Sequence, residues 1–301
     1  MRALRHAFPA AELIWIAGRG DCAYAGALAP LMPGLLDRVI EQCGVGAGLR
    51  AALGPKRLDV LIDTQSHVAT TLALRGLWPR RFVSAAANYW LSGVAPPRGY
   101  RKPRRLIRRL LDLAEFASGR PAITEGMLAL PAEAVARAAS LLPAGPCYVA
   151  QVIGAGGRHK AWPAERHAEL AEALIAAGRV PVLILGPAER DLIAPLAARL
   201  PGARFPLQAA GGEPDVALTV ALGANCAAAV AADCGGGHML AASGVPLVSL
   251  FGPTDPEKFA PWARRPTILR AQDFGSAEMA AIPLAPVLAS IDAAIVSSGA
   301  A

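Results

Sequence analysis

Cys147–Ile153 (CYVAQVI), Gly154–Trp162 (GAGGRHKAW) and the run from Pro163 to Gly178 read as one strand, one glycine-rich loop and one helix. Pro163 suits a helix's first turn, where a missing N–H leaves nothing unpaired, and Gly178 suits its carboxyl-terminal stop. The unit recurs. Strand Val180–Leu185 runs into loop GPAERD, strand Ala227–Ala232 into DCGGGH, and strand Pro246–Gly252 into PTDPEKF, each but the last leading to a helix. Such alternation predicts a parallel, doubly wound α/β sheet. In such sheets a ligand sits beyond the carboxyl ends of the strands, where every unusual cluster of this half lies.

Working outward, the first half begins as strand Glu12–Ala17 and strand Arg57–Asp63, with a Pro/Gly-rich helical stretch over Ala27–Val39 between them. Arg98–Arg109 (RGYRKPRRLIRR) holds seven basic residues and no acid, followed by a helical run, LLDLAEFA. By itself it reads as a solvated helix face. Pro143–Pro146 is the candidate linker. The expected division is residues 1–143, residues 144–285 and a carboxyl-terminal helix or tail over 286–301.

The chain has 301 residues, 54% of them apolar, enough for two domains that each bury a core. No apolar stretch reaches the length of a membrane helix, and the basic amino terminus lacks a signal peptide's apolar region. A cytoplasmic location is expected. Five cysteines without a C-x-x-C pair, and five histidines away from them, exclude a disulfide framework and a structural zinc site. The net charge of +7 points to an anionic partner.

The loop Gly154–Lys160 lets backbone amides approach a phosphate while Lys160 supplies charge; alone it reads first as a structural turn. Its spacing is neither that of a P-loop nor of a dinucleotide fingerprint. Asp233-Cys234-Gly235-Gly236-Gly237-His238 opens a helix at a strand end, an anion site by geometry, unless Asp233 merely caps and the glycines merely turn. Glu189 suits a ribose hydroxyl or a helix N-terminus. The Thr254 and Asp255 side chains, between two prolines, suit either bonding or capping. No D-x-D pair offers a metal site, so a diphosphate would be neutralised by lysine and helix termini.

Together, GAGGRHKAWPAERHAELAEAL (154–174), LILGPAERD (183–191) and DCGGGHMLAASGVPLVSLFGPTDP (233–256) resemble glycosyltransferase family nine, the ADP-heptose:lipopolysaccharide heptosyltransferases. ALRHAFPAAELIWIA and RLDVLIDTQ extend the likeness into the first half. The resemblance implies a GT-B fold, two Rossmann-like domains with parallel sheets facing a cleft, the donor on the second domain and the acceptor mainly on the first. It implies that Lys160 contacts donor phosphate, Glu189 the ribose, and Asp233, Cys234, Gly235, Gly236, Gly237 and His238 the sugar diphosphate. Cys234 stands where Thr or Ser is common, exchanging a hydroxyl donor for a weak thiol.

Family members begin with a strand, a Gly-Asp loop carrying the general base, and a helix. Met1 aligns inside that helix, so the first domain reads as incomplete and no catalytic base is assigned. Asp21, in Gly18-Arg-Gly-Asp21, follows the second strand and does not take that role. The expected function is inverting, metal-independent transfer of a sugar, heptose, from a nucleotide-diphosphate donor such as ADP-heptose, without a cofactor, to a lipopolysaccharide-core acceptor. The alternative is a donor-binding protein without transfer activity. An anionic glycolipid is the expected partner, nucleic acid is not, and Arg98–Arg109 would touch the inner membrane surface.

Overall fold

The computed structural model describes residues 1–125, 128–212 and 215–298. The chain divides into two compact units, Met1–Gly126 and Met127–Ala301. The division falls ahead of the expected linker. Pro143–Pro146 instead lies inside the second unit, between α5 (Ala132–Leu141) and β5 (Tyr148–Ile153), because α5 packs on α9 (Val216–Ala224).

The first unit holds β1 (Ile14–Ile16), β2 (Arg38–Ile40), β3 (Val60–Asp63) and β4 (Arg81–Ser84), with α1 (Arg2–Ala7), α2 (Ala47–Leu53), α3 (Val68–Arg75) and α4 (Leu106–Ser118). Its strands form two separate parallel pairs, β1 with β2 and β3 with β4. A cavity of about 1350 Å³ is lined by both β1 and β3. The helix expected over Ala27–Val39 is absent: one turn of 3-10 helix covers Ala29–Leu31, and β2 has begun by Arg38. Pro30 and Pro33 remove two amide donors, and Gly34 turns left-handed with φ 76°. Helix α4 starts within the basic run, whose Arg108 pairs with Asp112 and Glu115 and whose Arg109 donates to the Pro103 carbonyl. Arg98, Arg101, Lys102 and Arg104 remain exposed.

In the second unit β5, β6 (Val180–Leu185), β7 (Ala228–Ala232), β8 (Leu247–Phe251) and β9 (Pro266–Arg270) form one parallel sheet in the order β6-β5-β7-β8-β9. Between the strands run α6 (Ala164–Ala176), α7 (Ile193–Arg199), α8 (Pro206–Ala209), α9, α10 (Gly235–Ser243) and α11 (Pro256–Phe259), and α12 (Leu284–Ser298) follows β9. Every residue of β5, β7 and β8 is buried. That is the consequence of helices covering both faces, and it explains the mostly apolar runs. The outer edge of β6 is covered too: Leu183 donates to the Arg204 carbonyl, and Arg204 to that of Pro181. The expected carboxyl-terminal helix is present as α12, whose Val287, Ile291 and Ile295 join the core formed with Val230, Val248 and Leu250. Among the described residues no helix is long and apolar enough to cross a membrane.

Candidate functional site

Because β6, β5, β7 and β8 are parallel neighbours, their following loops share one edge of the sheet. After β5 comes Gly154–Lys160, closed by a 3-10 turn over Arg158–Lys160. After β6 comes the turn carrying Glu189, after β7 Asp233 and Cys234, and after β8 Gly252–Asp255. The structure thus gathers every donor-site residue expected from the sequence.

The loops interlock. Lys160 Nζ lies 3.4 Å from Asp233 Oδ2, joining the β5 and β7 loops through a half-buried ion pair. Gly154 has φ +94°, and a β-carbon there would lie 2.1 Å from Glu189 Oε1. Only glycine lets the Glu189 carboxylate rest on the β5 loop. A β-carbon at Gly236 would meet Val152 Cγ1 at 2.7 Å, so α10 starts hard against β5. That approach places the amides of the helix's first turn beside the Lys160 loop, a concentration of positive potential. Cys234, not Asp233, is the N-cap of α10. Asp233 is therefore a strand-end carboxylate engaged with lysine, contrary to the capping alternative.

Burial governs the other titratable groups. It raises the Cys234 thiol pKa, although the Gly236 and Gly237 amides favour the thiolate, so sulfur carries no charge at neutral pH. It lowers the His238 pKa against the opposing pull of Asp233, leaving a neutral imidazole beside the glycines. Lys160 and the α10 amides are then the local means of neutralising an anion. Among the described residues no group of three or more His, Cys, Asp or Glu side chains is arranged to hold a metal ion.

Beneath the β5 loop lies a support that sequence reasoning missed. Trp162 is 1% exposed; its Nε1 donates to the Ile282 carbonyl at 3.0 Å, and its ring meets that of His167 edge-on at 5.0 Å. His167 Nδ1 is 3.1 Å from Gln151 Oε1, both side chains being fully enclosed. Desolvation drives the His167 pKa down to about 3, so the imidazole is neutral. The signal was a Trp and a His at the start of an otherwise alanine-rich helix, where aliphatic packing alone needs neither.

The first unit has its own cluster at strand ends. Asp63, 2% exposed at the end of β3, accepts hydrogen bonds from the Gln65 and Ser66 amides on Oδ1, and from Thr71 and Ser84 hydroxyls on Oδ2. Asp21 accepts from Gln42 Nε2 at 2.7 Å.

Comparison with solved structures supports the architecture. A glycosyl transferase family 9 structure from Veillonella parvula superposes with a TM-score of 0.74 at 17% identity, covering 98% of this chain and 91% of that one. The E. coli ADP-heptose lps heptosyltransferase II gives 0.70 at 22% identity, covering 99% and 93%. An E. coli heptosyltransferase determined with ADP gives 0.68 at 19% identity, covering 97% and 95%. The fold is GT-B-like, as in these proteins. Lipooligosaccharide heptosyltransferase 2 of Haemophilus influenzae is 34% identical over 116 residues, 38% of this chain, and the match spans only 33% of that relative's length. The model of glycosyltransferase family 9 (heptosyltransferase) matches residues 47–281, which takes in part of each unit and all the interlocked loops; the chain belongs to that family.

Proposed function

We propose that this chain transfers a heptose from ADP-heptose to a lipopolysaccharide-core acceptor, with inversion and without a metal. The acceptor hydroxyl attacks the anomeric carbon and gives up its proton to a carboxylate base, the bond to the diphosphate breaks, and ADP departs as an anion. Lys160 and the α10 amides at Gly235–Gly237 take up the leaving charge, while Glu189 accepts from the ribose. Asp233 holds Lys160 in place, and His238 donates to the sugar diphosphate as a neutral group. The observation that carries this reading is the convergence of Lys160, Glu189 and the α10 N-terminus on adjacent strand ends. Calorimetry with ADP tests it: Lys160→Ala should weaken binding by about tenfold or more, as loss of a charge-assisted contact implies. Unchanged affinity overturns the assignment.

A second reading is donor binding without transfer, and the buried strand-end carboxylate of the first unit, Asp63, is not disposed to act as the base. Its two oxygens accept four hydrogen bonds, leaving no lone pair suited to take a proton from an acceptor. ADP binding without any turnover of ADP-heptose would select it. The exposed Arg98, Arg101, Lys102 and Arg104 fit an anionic glycolipid or the inner face of the cytoplasmic membrane. Binding to anionic vesicles should then fall steeply with salt, and salt-independent binding refutes the contact.

A further inference from the structure

Six non-glycine residues of the described chain have left-handed backbone, and all belong to the first unit: Gln42, Ser66, Trp78, Ala87, Asn88 and Tyr89. All but Trp78 follow the carboxyl end of a strand, within five residues of Ile40, Asp63 or Ser84. Left-handed geometry is strained for a residue with a β-carbon, so three in succession at Ala87–Tyr89 persist only because their surroundings impose them.

Those surroundings are visible. The Ser84 hydroxyl donates to Asp63 Oδ2 at 2.8 Å and accepts from the Ala86 amide at 3.1 Å, tying the β4 exit to the β3 exit. Tyr89 is buried against Tyr100 and Phe116, each ring centroid 5.7 Å away. Its hydroxyl lies 3.3 Å from that of Tyr100, which donates to Asp112. On the far side, Gly93 donates to the Phe82 carbonyl at 2.8 Å. Between these anchors Trp90 is 86% exposed. A large indole is thus held on a rigid, strained turn beyond a strand's carboxyl end, where parallel sheets place ligands.

We propose that Trp90 is a stacking platform for a sugar ring of the acceptor glycan. The inference rests on the reading of the chain as a glycosyltransferase. One face of a pyranose presents C–H groups of partial positive charge, complementary to the negative face of the indole. The left-handed turn supplies pre-organisation, so little ordering cost falls on binding.

The test is calorimetry of the full chain and of Trp90→Ala and Trp90→Phe with a lipid-free lipopolysaccharide inner-core oligosaccharide, with ADP titrated in parallel. Trp90→Ala should weaken the oligosaccharide about tenfold, and Trp90→Phe by much less, with ADP affinity unchanged in both. Trp90 is exposed, so an unaltered melting temperature accompanies these results. Oligosaccharide affinity unaffected by Trp90→Ala overturns the proposal, as does ADP binding by a wild-type chain that ignores the oligosaccharide. A loss seen only with vesicle-embedded glycolipid also overturns it, in favour of membrane contact. Failure of the wild-type chain to bind ADP is a different result: it sinks the donor reading itself.

Discussion

The two units solve the same problem, a rigid rim at the carboxyl ends of parallel strands, by different means. The second unit uses one continuous five-stranded sheet and glycine: Gly154 and Gly236 admit close approaches that no side chain allows, and no described non-glycine residue there is left-handed. The first uses two strand pairs beside a cavity, and forces Ser66 and Ala87–Tyr89 into left-handed backbone with a hydrogen-bond network around Asp63 and an aromatic clasp at Tyr89. A rim built on glycine pays in chain entropy; one built on side chains depends on buried polar groups staying satisfied.

The sharpest way to break this contrast is to attack the support under each rim and read the two units separately by hydrogen exchange. Trp162→Ala should have the largest effect, about 3–5 kcal/mol, because it empties an enclosed aromatic site and orphans the Ile282 carbonyl. The loss should be confined to the second unit; equal loss in the first would show that the units unfold as one. Asp63→Ala should follow at about 1–3 kcal/mol, since it leaves two buried hydroxyls and two amides short of an acceptor. Faster exchange at Ser66 and Ala86–Tyr89 without change around Gly235 would sharpen the comparison.

The smallest effect concerns pH. His167 has its folded pKa lowered to about 3, below the ordinary value of 6.5, so its stability contribution is complete above pH 6.5. As pH falls the unfolded chain takes up a proton that the folded chain refuses. Between pH 6.5 and 5 the second unit should lose up to about 2 kcal/mol. His167→Gln should flatten that slope in a melting series, and an unchanged slope would remove His167 from the account.

What could be read in the sequence follows the same divide. Strands buried on both faces are mostly apolar runs, so β5 to β8 and their loops were legible, and the loops carrying Lys160, Glu189 and Asp233 do follow neighbouring strands of one sheet. The first unit's strands are only three or four residues long, and two prolines with a glycine disguised a loop and β2 as a helix. Its rim was not legible because Ala87 and Tyr89 carry no mark of left-handed geometry; the clasp that enforces it comes from Tyr100, Asp112 and Phe116, outside that turn. The Trp162–His167–Gln151 support was missed although its members lie within sixteen residues, because the Ile282 carbonyl that anchors Trp162 is distant in sequence.

Cys234 has a consequence for chemical labelling. Its sulfur sits at the mouth of the α10 amides, yet burial keeps it protonated and therefore a poor nucleophile at neutral pH. Alkylation by iodoacetamide there should be slow, and on the proposed donor reading a diphosphate at the same amides should slow it further. Mass spectrometry of the labelled thiol with and without ADP checks this, and labelling indifferent to ADP would place the diphosphate elsewhere.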